Sequence, residues 1–194
     1  MSVKARKEGE AGPDPMENGK RIVIRHKRLT DAKDDYQWQT DPQLSELDAA
    51  VPLSMSYQQY LSEYSFDLAY PSSGRHEFAI DTIAGEHVGN CVYYNVNLVE
   101  SKAELGIMIG NPNYWNQGYG VEAIEILLDH IFNTTRLEQV YLTTLTWNIR
   151  AQSCFKKCGF QVCGEVRRDN HDFFLMAIRR DEWEKLRKGS EVGP

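Results

Sequence analysis

Residues 111–132, NPNYWNQGYGVEAIEILLDHIF, run a turn signal through Gly118 and Gly120 directly into a long apolar-periodic stretch. The first turn of a helix leaves backbone N–H groups without intrahelical partners. Glycines there remove the Cβ atoms that would hold an anion away, and the helix dipole favours negative charge. Gln117, Gly118, Tyr119, Gly120 and Val121 therefore read as a cradle for a pyrophosphate, with an ordinary glycine turn before a core helix as the plain alternative. Gly118, Gly120 and Ala123 also satisfy the dinucleotide pattern G-x-G-x-x-[GA], with Glu138 as the acidic residue further on. The P-loop pattern GxxxxGK[ST] is absent. Cys91, Cys154, Cys158 and Cys163 form no CxxC pair and have no histidines at zinc spacing, so they read as buried free thiols and no metal is expected. His87, His130 and His171 are bases by chemistry, although a lone histidine is usually structural.

A dinucleotide site needs strands and helices that alternate around a parallel sheet. The elements ahead of the loop do not alternate in this way. RIVIRH reads as a strand, TDAKDDYQWQTD as a helix start, and SYQQYLSEYSFDLAY as a helix with Tyr57, Tyr60, Leu61, Tyr64 and Leu68 on one face. EFAIDT, HVGNCVYYNVN and KAELGIMI follow as an antiparallel meander. After the loop, Val121, Ile124, Leu127, Leu128 and Ile131 mark one helical stripe, and QVYLTTLT reads as a strand. NIRAQSCFKKCGF reads as a short helix stopped by Gly159, and QVCGEVRRDNHDFFLMAIRR as a hairpin turning near Asp169 and Asn170.

The chain of 194 residues is 41% hydrophobic and 26% charged, enough for one globular domain with a buried core. Residues 1–19 are polar and nearly free of large apolar side chains, and read as a disordered leader. The domain is expected over 20–188, with a flexible tail over 189–194. A formal net charge of -6 argues against nucleic acid as a partner and leans toward cationic ones. No stretch approaches the ~18 apolar residues of a membrane span, and the start lacks a signal-peptide run, so no membrane partner and a cytoplasmic location are expected.

AELGIMIGNPNYWNQGYGVEA, NIRAQSCFKKCGF and GEVRRDNHDFFLMAIRRDEW, in this order and spacing, resemble the GNAT superfamily of N-acetyltransferases in its ribosomal-protein and spermidine acetyltransferase branch. The resemblance implies an α+β GNAT fold with a mixed, splayed β-sheet flanked by helices. It implies acetyl-CoA as cofactor, its pyrophosphate on the N–H groups of Gln117, Gly118, Tyr119, Gly120 and Val121. The strand at Ile107, Met108 and Ile109 is then expected to splay from its neighbour and present backbone to the pantetheine and acetyl carbonyl. The resemblance further implies that Asn148 holds the pantetheine arm from across the cleft, and its position also suits a helix N-cap. Two residues depart from the family pattern. Trp115 stands where the loop pattern begins with Gln or Arg. Phe155 falls where many members carry a tyrosine that protonates the departing thiolate, which leaves a ring beside the thioester and the source of that proton open.

The implied reaction is direct attack of a primary amine in a ternary complex. Reference pKa values of about 10.4 for a lysine-like ammonium and about 7.7–8.0 for an α-amino group mean that a proton must leave first. Glu104 is the candidate acceptor, because strand alternation puts it on one face with Gly106 and Met108. Asp172, Glu63 and Asp67 could receive a cationic substrate, although solvated charged faces are common. The amine stays open between a protein N-terminus and a small polyamine, and a homodimer is allowed for. A non-catalytic acyl-CoA-binding sensor is the alternative of a different class, keeping the loop and Asn148 without acceptor chemistry.

Overall fold

The computed structural model describes residues 17–191, within which eight strands form one sheet. They are β1 (Glu17–Asn18), β2 (Ile22–His26), β3 (Arg75–Thr82), β4 (His87–Asn97), β5 (Lys102–Ile109), β6 (Gln139–Leu145), β7 (Gln161–Arg168) and β8 (His171–Arg179). The sheet order is β1-β2-β3-β4-β5-β6-β8-β7. Six α-helices accompany it: α1 (Ala32–Thr40), α2 (Pro42–Leu47), α3 (Tyr57–Ala69), α4 (Tyr119–Thr134), α5 (Ile149–Lys157) and α6 (Arg180–Glu191). This is an α+β architecture. The alternating strands and short turns between β3 and β5 produce the expected antiparallel meander.

The one parallel contact shapes the molecule. β5 pairs with β4 as far as Ile109, but with β6 only through Lys102, Ala103 and Glu104 against Gln139, Val140 and Tyr141. β6 instead follows its antiparallel partner β8 along its whole length, from Gln139↔Arg179 to Leu145↔Phe173. The two parallel strands therefore diverge after Glu104, and residues 105–109 have no ladder partner on that side. The splay opens where α4 and α5 begin.

The apolar stripe of α4 explains its placement. Ile124, Leu127, Leu128 and Ile131 are fully buried against Ile22, Ile24, Ile80, Leu105 and Val140 in one core cluster. On the opposite face of the sheet lie α1, α2 and α3. Gly110, just past β5, is what lets Trp38 of α1 seat there, since a Cβ would overlap the indole. At the α5 terminus Gly159 takes φ +93, the left-handed conformation that stops the helix. The β7–β8 turn uses Asp169 and Asn170, both at positive φ.

Several boundaries differ from expectation. Glu17 and Asn18, placed in the leader by composition, pair with Ile24 and Val23 of β2; Met1 to Met16 lie outside the described residues. α6 continues through the expected tail to Glu191, anchored by the buried Trp183. On α3 only Tyr60 of the expected apolar face is buried, because this helix covers a cavity rather than a core. α2 was not anticipated at all. Its signal was present in Asp41 followed by Pro42, a capping side chain that accepts from Leu44 N–H (3.0 Å) ahead of a proline in the first helical turn.

Candidate functional site

The glycine loop forms the N-terminus of α4. Gly118 is its N-cap at φ +86, a left-handed conformation that an L side chain adopts only with strain, and no side chain caps the first turn. Its N–H groups thus open toward a groove of about 440 Å³ between α4, α5 and the splayed end of β5. Arg21 braces the loop from behind, with Nε donating to Glu122 Oε2 (2.9 Å) and Nη1 to the Gln117 carbonyl (2.6 Å). Gly118, Tyr119, Gly120 and Val121 line the groove, whereas Gln117 is exposed and does not line it.

Ile107, Met108 and Ile109 line the same groove on its β5 side, where the ladder to β6 is missing. The Trp115 indole donates to the Ile109 carbonyl (2.6 Å), which ties the loop to the end of β5. Across the groove, Asn148 is the N-cap of α5 and its Oδ1 accepts from Ala151 N–H (3.1 Å). Asn148 also lines the groove. Phe155 is buried at 7% exposure, packs edge-on against Phe160, and presents its ring to the groove. The Arg150 guanidinium stacks 3.6 Å from the centre of the Trp115 ring. The positive charge missing from the loop pattern at Trp115 is thus delivered from α5 onto its ring face. A phosphate-bearing thioester such as acetyl-CoA fits these residues: helix N-terminal N–H groups, a cation and a polar amide along an open strand edge.

A second cavity of about 660 Å³ lies on the other side of β5, between the sheet and α1 and α3. Its wall is a buried polar network. Lys27 Nζ donates to Asp35 and to Asn90; Asn90 Nδ2 donates to Asp35 Oδ1 (2.6 Å) and Tyr64 OH to Asp35 Oδ2 (2.9 Å). Burial alone would raise the Asp35 carboxyl, but hydrogen bonding with His87 and the Lys27 charge hold it well below the usual carboxylate range. Burial likewise opposes a charged His87, yet contacts to Asp35 and Asp81, both 3.3 Å, leave its pKa raised. His87 is thus committed to the network. His130 packs on Phe78 and Tyr93, and His171 on Phe173. Glu138 pairs with Arg180 (3.3 Å), away from the loop, which disposes of its dinucleotide role.

Glu104 does share a face of β5 with Gly106 and Met108, but it sits one layer back. Its Oε2 accepts from Asn95 Nδ2 (2.9 Å), and it is 8% exposed. Tyr94, opposite it on β4, lines the second cavity, and its phenol is pushed up to about 12 by burial and then by the Glu104 charge. Glu63 and Asp67 of α3 line that cavity, whereas Asp172 pairs with Arg167 in the outer hairpin. The residue that sequence reasoning passed over is Asp48, which lines both cavities together with Ile107 and Met108. Of the cysteines expected to be buried, Cys91 and Cys158 are; Cys154 lines the groove at the start of α4 and Cys163 is exposed.

Against known proteins, residues 21–161 match the family model described as an acetyltransferase (GNAT) domain. The chain is 28% identical over 128 residues to the spermidine N(1)-acetyltransferase of Escherichia coli (strain K12), a match covering 66% of this chain and 61% of that relative. The chain therefore spans about three fifths of the length of that curated relative. Among solved structures, spermidine N-acetyltransferase from Vibrio cholerae in complex with CoA and spermine superposes with a TM-score of 0.76 at 17% identity, covering 86% of this chain and 99% of that one. The aminoglycoside acetyltransferase AAC(6')-Ib in complex with coenzyme A gives 0.72 at 19% identity, covering 86% and 99%. At these identities the two structures speak for the fold.

Proposed function

This chain belongs to the GNAT acetyltransferase family, and on that premise we propose that it transfers the acetyl group of acetyl-CoA to a primary amine of a small polyamine. Acetyl-CoA supplies the activated acetyl thioester. The N–H groups of the Gly118–Gly120 turn, with Arg150 beside them, hold the pyrophosphate; the open edge at Ile107, Met108 and Ile109 and the Asn148 amide hold the pantetheine arm; Phe155 covers the thioester. The amine enters from the second cavity, so donor and acceptor meet across β5 at Met108.

One observation carries the polyamine reading. Asp48, Glu63 and Asp67 line the acceptor cavity, and none has a cationic partner among the described residues. Several unpaired carboxylates suit an acceptor with several ammonium groups, whereas a peptide N-terminus brings one. Similarity to the Escherichia coli spermidine N(1)-acetyltransferase supports the same class. Glu104 reaches the cavity only through Tyr94 or water, and its proposed part is to accept a proton second-hand by that route, after it has left the amine.

A thiol-release assay with acetyl-CoA against spermidine, spermine, an amino sugar and N-terminal peptides tests the reading. Polyamines are expected to turn over fastest, and the double variant Glu63→Gln with Asp67→Asn is expected to raise KM for spermidine while sparing a monoamine. Faster turnover of the peptides would assign the protein-N-terminal acceptor instead. CoA binding without thiol release for any amine would leave an acyl-CoA sensor.

A further inference from the structure

We infer that Asp48 is the group that takes the proton from the attacking amine, an inference that rests on the acetyl-transfer reading above. Asp48 is the C-cap of α2 and, with Ile107 and Met108, forms the seam at which the donor groove and the acceptor cavity join. Any amine attacking a thioester laid along the open edge of β5 must cross that seam. Glu104, by contrast, lines neither cavity and already accepts from Asn95.

The backbone holds Asp48 firmly. Ala50 N–H donates to the Ser45 carbonyl (2.8 Å) and Ala49 N–H to the Glu46 carbonyl (3.2 Å), the paired bonds of a Schellman cap. That cap needs a left-handed residue after Asp48, and Ala49 supplies it at φ +52, where glycine would be unstrained. Ser45 Oγ fastens the same turn to the Gln39 carbonyl of α1 (3.3 Å).

The charge is placed against local preference. Helix C-termini favour cations, yet Asp48 puts a carboxylate there with no cationic partner among the described residues. Asp48 is solvent-accessible and lines both cavities, and desolvation by the protein around it raises its carboxyl above the ordinary range. A carboxyl so displaced is a better base than a solvated one, and an ammonium arriving at the seam relieves its lack of a partner. In the step, the ammonium N–H proton passes to an Asp48 Oδ; the freed lone pair forms the N–C bond to the acetyl carbon; the C–S bond breaks and its electron pair leaves with the CoA sulfur; the second proton, shed by the nitrogen as it becomes an amide, passes through water to that thiolate, and Asp48 returns its own proton to solvent.

The test compares Asp48→Asn, Asp48→Ala and Glu104→Gln on the amine that wild type acetylates fastest. General-base contributions of roughly 10²–10⁴-fold set the scale. Asp48→Asn is expected to lower kcat at least about 100-fold, with CoA affinity and unfolding midpoint near wild type. Added formate is expected to restore part of the rate of Asp48→Ala and none of Glu104→Gln. The inference is overturned if Asp48→Asn keeps kcat and changes only KM, which would make Asp48 a binding carboxylate. A collapse of kcat in Glu104→Gln alone would overturn it equally. A fastest acceptor other than a polyamine would sink the polyamine reading and leave the Asp48 test standing, since every ammonium must shed its proton. Absence of turnover with all amines would overturn both.

Discussion

Gly118 and Gly120 stand two residues apart, yet the structure gives them different duties, and alanine at each separates folding from binding. Gly118 sits at φ +86, so Gly118→Ala takes on the left-handed penalty of about 1–2 kcal/mol. Its new Cβ would also lie 3.0 Å from Arg21 Nη2, in the brace that ties the loop to β2. At roughly 2–4 °C per kcal/mol for a domain of this size, the unfolding midpoint should fall by about 2–8 °C. Gly120 lies inside α4 and has no such backbone demand. Alanine there gains up to ~1 kcal/mol of helix propensity, set against a Cβ pressed to 3.2 Å from Cys154 Sγ. Stability should stay within about 1 kcal/mol of wild type. Binding should not: the methyl enters the groove where the pyrophosphate must approach the backbone, and loss of one charge-assisted hydrogen bond of about 1.5–3 kcal/mol weakens CoA roughly 10- to 100-fold. Calorimetric CoA titration and thermal unfolding of both variants check the pair. A folded Gly120→Ala protein with wild-type CoA affinity would refute the pyrophosphate assignment.

Phe155→Tyr is expected to leave the rate within a few-fold or to raise it, because a CoA thiolate of reference pKa about 8.5 leaves without a dedicated acid. Phe155→Ala should cost roughly 3–5 kcal/mol through the lost packing on Phe160, with activity falling alongside; steady-state rates and unfolding midpoints decide between them. Arg150→Met should weaken acetyl-CoA, and the salt dependence of its binding, while a donor truncated to acetyl-pantetheine binds unchanged; equal loss for both donors would remove the phosphate role. His87 has a raised pKa in the folded protein, so its charged form adds stability that is complete below the unfolded value of about 6.5 and is lost as pH rises through the folded one. The stability gap between wild type and His87→Asn should therefore shrink as pH increases through that window, and a pH-independent gap in unfolding midpoint would refute it.

What the sequence determined by itself was local. The bounds of β4 and β5 follow from alternation between turn signals, and the α4 stripe from its 3.6-residue period, because each pattern is set by neighbours a few residues away. The glycine turn that starts α4 and the Asn148 cap were legible for the same reason, as helix termini write their needs into adjacent residues. Tertiary structure alone decided the depth of Glu104, which alternation placed on the correct face but could not show to be covered by Asn95 and Tyr94. It decided the divergence of β5 from β6, since register across a parallel pair depends on the pull of β8 and not on either strand's own residues. It also brought Arg150 onto Trp115, clasped Lys27, Asp35 and His87 together from three separate segments, and set Asp48 at the meeting of two cavities. These groups converge through packing over long stretches of chain, and spacing along a sequence carries no record of which distant side chains will share a wall.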